Sequence, residues 1–285
     1  MVRRNNFKRA ESLRHELISR QDSIDIIINK LKSKEIFTFV RYGDGDYKMM
    51  YIDSVGNIVG GNNRFLVTER FRKELIDSYN IEDNNWLIGT SYGDLSKRST
   101  FKNIDSMKLP ILQERTHLLA VGCLMDSFID DIQSFKLFAE EMRKTSTMLV
   151  CNYNHPNLEK AYGEIKVFVQ VPKQNSYSAI ETWYPKILRN LDKVDKIVFS
   201  AGQSSRVASK RLYETSKNIT SIDVGSVSDM LIMNTDIVNT IPQRSHLRIY
   251  HDRIMKSLCG LLGEDVISKF VSNKVPARRK KKRRR

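Results

Sequence analysis

Cysteine, histidine and proline are all scarce in this sequence, at three, five and six among 285 residues. Cys123, Cys151 and Cys259 lie far apart with no C-x-x-C spacing, which argues against both a disulfide framework and a zinc site. Cys123 and Cys151 fall in apolar runs and read as buried thiols. His15, His117, His155, His246 and His251 form no His-x-x-x-His pairing, and no G-x-S-x-G occurs. Hydrolysis through a serine or cysteine nucleophile therefore finds no support. No apolar run is long enough to span a bilayer, and no hydrophobic segment of a signal peptide follows Met1-Val2-Arg3-Arg4. The expectation is a soluble, cytoplasmic protein.

Positive charge, by contrast, is abundant. Lysine and arginine number 48 against 33 acids, a net charge of +15, of which the run at 278–285 carries eight. Eight like charges in a row repel and cannot pack, so 276–285 is expected to be a disordered polybasic tail behind a single domain at 1–275. Such a tail suits polyanion contact: nucleic acid, an anionic membrane surface, or a nuclear address. The body, at +7, is only moderately basic.

Apolar periodicity divides the domain into alternating elements. Helical spacing covers 7–32, 47–52, 68–79, 126–143, 183–191, 206–216 and most of 246–271. Short β-branched or apolar runs at 36–42, 86–92, 117–122, 147–153, 166–171, 196–201 and 219–224 read as strands. Gly60-Gly61-Asn62-Asn63 reads as a turn, and Asn154-His155-Pro156-Asn157 as a break after a strand. Strands alternating with helices predict an α/β fold with a largely parallel sheet flanked by helices and helical N- and C-terminal segments.

Three strand ends carry the candidate chemistry. The first, Arg41-Tyr42-Gly43-Asp44-Gly45-Asp46, ends a strand with two glycines and two carboxylates. Gly43 and Gly45 permit positive φ and close approach to a ligand. Asp44 and Asp46 lie where open α/β sheets bind ligands, and Arg41 can fork onto phosphate or carboxylate. The same string also suits an ordinary turn or a helix cap. The second, Ala201-Gly202-Gln203-Ser204-Ser205, joins a strand to a helix, a setting that suits phosphate at a helix N-terminus, or else a tight turn with Ser204 as its cap. It is neither a Walker A loop nor a complete G-x-G-x-x-G. The third, Asp223-Val224-Gly225-Ser226-Val227-Ser228-Asp229, again sets carboxylates beside a glycine. Acids from separate strand ends suit Mg²⁺ or Mn²⁺ held against a diphosphate, although Asp223 equally suits a cap or an arginine partner.

Four segments in order resemble the GT-D glycosyltransferases. Arg41-Tyr42-Gly43-Asp44-Gly45-Asp46 resembles that family's Arg-aromatic-Gly-Asp-Gly-Glu signature, with Asp46 in place of the glutamate. Val171-Pro172-Lys173-Gln174-Asn175-Ser176-Tyr177 is similar to its Pro-x-x-Asn-Ala-aromatic segment. The strand, turn and helix from Ile197 to Leu212 resemble its Gly-Pro-Thr-Ala unit, and Ile222-Asp223-Val224-Gly225 its Asp-Ile-Gly strand end. Where the family shows Asp-x-Glu, this chain reads Ser228-Asp229-Met230. The resemblance implies a Rossmann-like sheet that binds a nucleotide-sugar, often a UDP-sugar, and moves the sugar to an acceptor hydroxyl. It implies a divalent cation on an acidic pair shortly after the Asp-x-Gly, of which this chain keeps Asp229.

The residues and the resemblance together assign roles. Gly202, Gln203 and Ser204 would hold the diphosphate, with Gly43, Gly45 and Asp223 lining the donor site and Asn175 contacting sugar. Arg41 would neutralise the leaving group, and Asp44 or Asp46 would orient the donor or act as base. Asp223 and Asp229 would bind Mn²⁺ or Mg²⁺. The acceptor would be a glycan or glycoprotein. Two other readings compete: nucleic-acid binding through the basic body and tail, and metal-dependent phosphohydrolysis by the same carboxylates.

Overall fold

The computed structural model describes residues 18–51, 58–59, 65–90, 118–233, 247 and 249–263. The basic tail, the turn at 60–63, the first part of the N-terminal helix, His15, His117 and His246 lie outside these residues. In chain order the strands are β1 (Thr38–Arg41), β2 (Ile58–Val59), β3 (Phe65–Leu66), β4 (Trp86–Thr90), β5 (Leu118–Ala120), β6 (Thr147–Cys151), β7 (Ile165–Gln170), β8 (Lys196–Ser200) and β9 (Thr220–Asp223). Seven of them form one sheet in the order β5-β4-β1-β9-β8-β6-β7, with every neighbouring pair parallel. The β2–β3 pair is a separate antiparallel ribbon that the sequence reading missed.

The helices are α1 (Arg20–Lys32), α2 (Asp44–Tyr51), α3 (Glu69–Tyr79), α4 (Cys123–Asp130), α5 (Ile132–Arg143), α6 (Pro156–Tyr162), α7 (Ile180–Leu188), α8 (Ser204–Thr215), α9 (Val227–Leu231) and α10 (His251–Leu262). They cover both faces of the sheet, which is why the central strands read as continuous apolar runs. On one face Val40, Ile88, Val150 and Phe199 meet α2, α3, α7 and α8 through Met49, Phe71, Trp183 and Val207. On the other, Phe39, Leu87, Leu149 and Ile222 meet α1, α4, α5, α6, α9 and α10 through Ile27, Phe128, Phe138, Tyr162, Met230 and Leu258. Successive strand residues alternate between the two cores, as the period of two requires. Among the described residues no helix is long and apolar enough to cross a membrane.

Two helices differ from the sequence reading for local reasons. The run 126–143 is two helices, broken where Asp131 takes φ −138° and ψ 73° and accepts a hydrogen bond from the Ser134 amide. An aspartate offers the backbone this alternative to helix and so starts a new one. The break at 154–157 is instead a helix start: His155 Nδ1 accepts from the Asn157 amide, and Pro156 takes the first helical position.

Candidate active site

Winding decides where the strand ends meet. The β5-β4-β1 half runs outward from the centre, as in half of a Rossmann sheet. The other half runs inward, from β6 and the edge strand β7 back through β8 to β9, so β9 lies beside β1. After β1 the chain packs α2 on one face through Tyr47 and Met50, whereas after β9 it packs α9 on the opposite face through Met230 and Leu231. Adjacent parallel strands whose continuations part in this way leave a crevice at their carboxyl ends, the usual ligand position in open α/β sheets. Residues 41–46, 201–206 and 223–225 all lie at these ends.

They are held together by Arg206. This side chain, in the first turn of α8, is almost fully buried and forms ion pairs with Asp46 (Nη2 to Oδ2, 3.1 Å) and Asp223 (Nη1 to Oδ2, 2.9 Å). Its Nη1 also donates to the Gly202 carbonyl at 2.6 Å, and its guanidinium stands 6.0 Å from the centre of the Tyr42 ring. Asp46 Oδ2 accepts a second bond from the Gly43 amide at 2.9 Å, and Asp223 Oδ1 accepts from the Gly225 amide at 3.0 Å. One guanidinium thus joins the ends of β1, β8 and β9. Burial is the main force on Asp46 and raises its pKa; Arg206 and the Gly43 amide oppose it. Burial would lower the pKa of Arg206, but Asp223 and then Asp46 more than offset it, and the guanidinium is held above its usual value.

Arg41 lies alongside. Its Nε is 3.9 Å from Asp223 Oδ1, and Nη1 donates to the Val121 carbonyl at 3.3 Å, just beyond β5. Gly225, at φ +51°, leaves room for it: a Cβ there would stand 1.4 Å from Arg41 Nη2. At these strand ends positive φ is adopted by Gly202 (62°) and Gly225 (51°), not by Gly43 and Gly45 as the sequence suggested. Gly45 is needed for proximity instead, since a Cβ would meet Gln203 Nε2 at 3.1 Å. Asp44 opens α2, so the Gly-Asp-Gly-Asp string is a helix start rather than an open turn.

Among the described residues, several buried polar atoms without hydrogen-bond partners lie here. Arg41 Nε, Asp46 Oδ1, Gln203 Oε1 and Arg206 Nε are all in this state. Each such atom costs about 1–3 kcal/mol unless something else meets it, and a ligand entering the crevice would do so.

The other candidate residues are placed differently. The Ser204 hydroxyl donates to the Ala201 carbonyl (2.7 Å) and meets Ser176 Oγ (2.6 Å), so it braces the turn from within. Asn175 sits in the left-handed region (φ 50°, ψ 42°) beside that brace, partly exposed. Asp229 is buried in α9 and accepts from Tyr153 Oη at 3.0 Å. Among the described residues no group of three or more His, Cys, Asp or Glu side chains is arranged to hold a metal ion. Asp223 is paired with Arg206 and accepts from the Gly225 amide, and Asp229 accepts from Tyr153.

Arg206 itself was not picked out from sequence as a site residue. Its signal was present: an arginine in the first turn of a helix opposes the helix dipole and needs compensation, which two aspartates supply here.

No family model and no curated protein matches the sequence. Solved structures do match the fold. A structure of domain of unknown function 1792 is 14% identical, with a TM-score of 0.57 over 79% of this chain and 83% of that one. A glycosyltransferase (DUF1792) from Streptococcus sanguinis is 16% identical, with a TM-score of 0.53 over 75% and 82%. A third structure, described as showing that this domain has a distinct glycosyltransferase fold, is 11% identical with a TM-score of 0.54 over 79% and 83%. The chain has the α/β fold of these DUF1792 structures, a distinct glycosyltransferase fold.

Proposed function

We propose that this protein is a glycosyltransferase that moves a sugar from a nucleotide-sugar, a UDP-sugar in the first instance, to an acceptor hydroxyl on a glycan or glycoprotein. The observation that carries the reading is the crevice at the ends of β1, β8 and β9, where Arg41 and Arg206 stand among buried polar atoms without partners. Arg41 and Arg206 are held in place by Asp46 and Asp223, and charge fixed before reaction stabilises a departing diphosphate without reorganisation. Arg41, with the looser aspartate contact, is the residue that neutralises the leaving group. Arg206, clamped by Asp46 and Asp223, is the positioning residue that ties the three strand ends together. Asp46 is committed to that clamp, so the role of base toward the acceptor hydroxyl falls to Asp44, on sequence grounds. Gly202 and Gln203 supply the helix N-terminus toward the phosphates.

Transfer or hydrolysis of UDP-sugars by the full chain, with Arg41→Gln and Asp44→Ala beside it, tests the proposal. Loss of turnover by about 10²-fold or more in folded Arg41→Gln is expected, as for removal of a preorganised charge contact. Full turnover in both variants would overturn the assignment. Release of inorganic phosphate in place of sugar transfer would favour phosphohydrolysis.

A further inference from the structure

We infer that Arg20 and Asp126 form a sugar-binding pair beside Arg41, that it takes two neighbouring hydroxyls of an uncharged sugar, and that this sugar is the acceptor. The word acceptor rests on the transferase reading; the chemistry of the pair stands on its own residues. Asp126 lies in the first turn of α4, just past the end of β5, and its Oδ2 pairs with Arg20 Nε at 2.9 Å. Arg20 is the first residue of α1, so that helix begins at this same edge of the sheet. The carboxylate folds back over the turn between β5 and α4, where a Cβ on Gly122 would stand 2.5 Å from Asp126 Oδ2. Arg41 Nη1 donates to the Val121 carbonyl, one residue earlier, at 3.3 Å. Arg41 and Asp126 therefore both touch the two-residue stretch Val121–Gly122, and the bare Gly122 makes room for Asp126 as Gly225 does for Arg41. Burial raises the Asp126 pKa above the usual carboxylate value, and Arg20, then Arg253 and Arg41, oppose it.

Both members of the pair keep polar atoms to spare. Among the described residues Asp126 Oδ1 meets no donor, and the Nη groups of Arg20 meet no acceptor. The side chains are 19% and 69% exposed, and Val121 and Gly122 are half-buried, so a solute can reach the turn. A carboxylate only accepts hydrogen bonds and a guanidinium only donates them, whereas a hydroxyl does both. Of two adjacent hydroxyls one can donate to Asp126 while the other accepts from Arg20, and bonds to charged groups are the stronger kind. Charge narrows the choice further. An anion would face the Asp126 carboxylate and a cation would face Arg20 and Arg41, which leaves an uncharged polyol. Arg253, the remaining cation that acts on Asp126, is paired with Asp130. A sugar on this pair would lie next to Arg41, the residue assigned to the leaving group.

Saturation-transfer NMR of the full chain tests the pair. The probes are the methyl glycosides of glucose, galactose and mannose, with tetrahydropyran-2-methanol, a ring lacking the diol, and glucuronate, a charged sugar, beside them. The expected result is a saturable signal from at least one methyl glycoside, at least tenfold weaker for tetrahydropyran-2-methanol and glucuronate. Asp126→Leu and Arg20→Gln should each weaken the glycoside by about tenfold, the worth of a hydrogen bond to a charged group. Arg20 is exposed, so Arg20→Gln keeps the fold even where Asp126→Leu does not. No glycoside signal, an equal signal from either control probe, or unchanged affinity in Arg20→Gln would overturn the inference. Nucleotide-sugar binding is read on the same samples by thermal shift. Its presence without a glycoside response overturns the Arg20–Asp126 site alone. Its absence beside an intact glycoside response overturns the acceptor role with the transferase reading.

Discussion

Replacing Arg206 with methionine keeps much of the volume of the side chain and removes its charge. What remains is a pair of carboxylates, Asp46 and Asp223, both buried and both deprived of the cation between them. Breaking a buried ion pair from one side costs about 3–5 kcal/mol, because the surviving charge has neither water nor partner. Here two carboxylates survive, so the upper part of that range is expected, a third or more of the stability of an ordinary domain. Urea unfolding at pH 7 would show it as a lower midpoint at unchanged slope. The sign with pH follows from linkage. Arg206 opposes the burial that raises Asp46, so removing it raises the folded-state pKa of Asp46 further. A group with a raised folded pKa has its full stability below its unfolded pKa and loses it as pH rises through the folded value. The deficit of Arg206→Met should therefore shrink as pH falls from 7 toward 4. Asp46→Asn should also cost less in the Arg206→Met background than in the wild type, by about 0.5–3 kcal/mol of coupling. A deficit below about 1 kcal/mol at pH 7, within the range of an exposed pair, would refute the clamp, as would a deficit that grows toward acid.

Gly225→Ala should cost about 1–2 kcal/mol from its left-handed backbone alone and should expel the Arg41 guanidinium, since the new Cβ would overlap Nη2. Nucleotide affinity should fall in this variant and survive better in Gly45→Ala, where the group displaced is the flexible end of Gln203. Burial lowers the Lys196 ammonium from 10.5 to about 8, with Thr145 accepting its hydrogen bonds. The folded state disfavours the charged form, so wild-type stability should rise relative to Lys196→Met between pH 8 and 10.5, by about 3 kcal/mol at one pKa unit per 1.36 kcal/mol. Parallel unfolding curves across that interval would contradict it. Asp131→Ala removes the cap that starts α5 and should lower stability by about 1 kcal/mol in thermal or urea unfolding.

The parallel sheet could be read from the chain because each central strand is a short apolar run closed by glycine or a polar residue, and burial on both faces leaves that mark in sequence. The strand order could not. Nothing local distinguishes β9 beside β1 from β9 at an edge; the choice is made by which helices can cover which face. The ends of β1, β8 and β9 could be named as candidates from their glycines and acids, yet their joining element, Arg206, is an ordinary residue for an amphipathic helix until its two aspartate partners are placed. Likewise the hydroxyl of Ser204 faces inward because Ser176, 28 residues earlier, meets it there, a contact between distant segments that no spacing announces. His155-Pro156 could equally stop a strand or start a helix, and the packing of Leu158 and Tyr162 into the core selects the start.

Ligand-induced stabilisation addresses the central claim most directly: that the three strand ends form one nucleotide-sugar site with Arg41 at its charged wall. A UDP-sugar at 100 times its dissociation constant should stabilise the chain by about 2.7 kcal/mol, seen as a raised melting temperature, and Arg41→Gln should lose most of that gain. An unchanged melting temperature across a panel of nucleotide-sugars, with and without Mn²⁺, or an equal gain in Arg41→Gln, would contradict it.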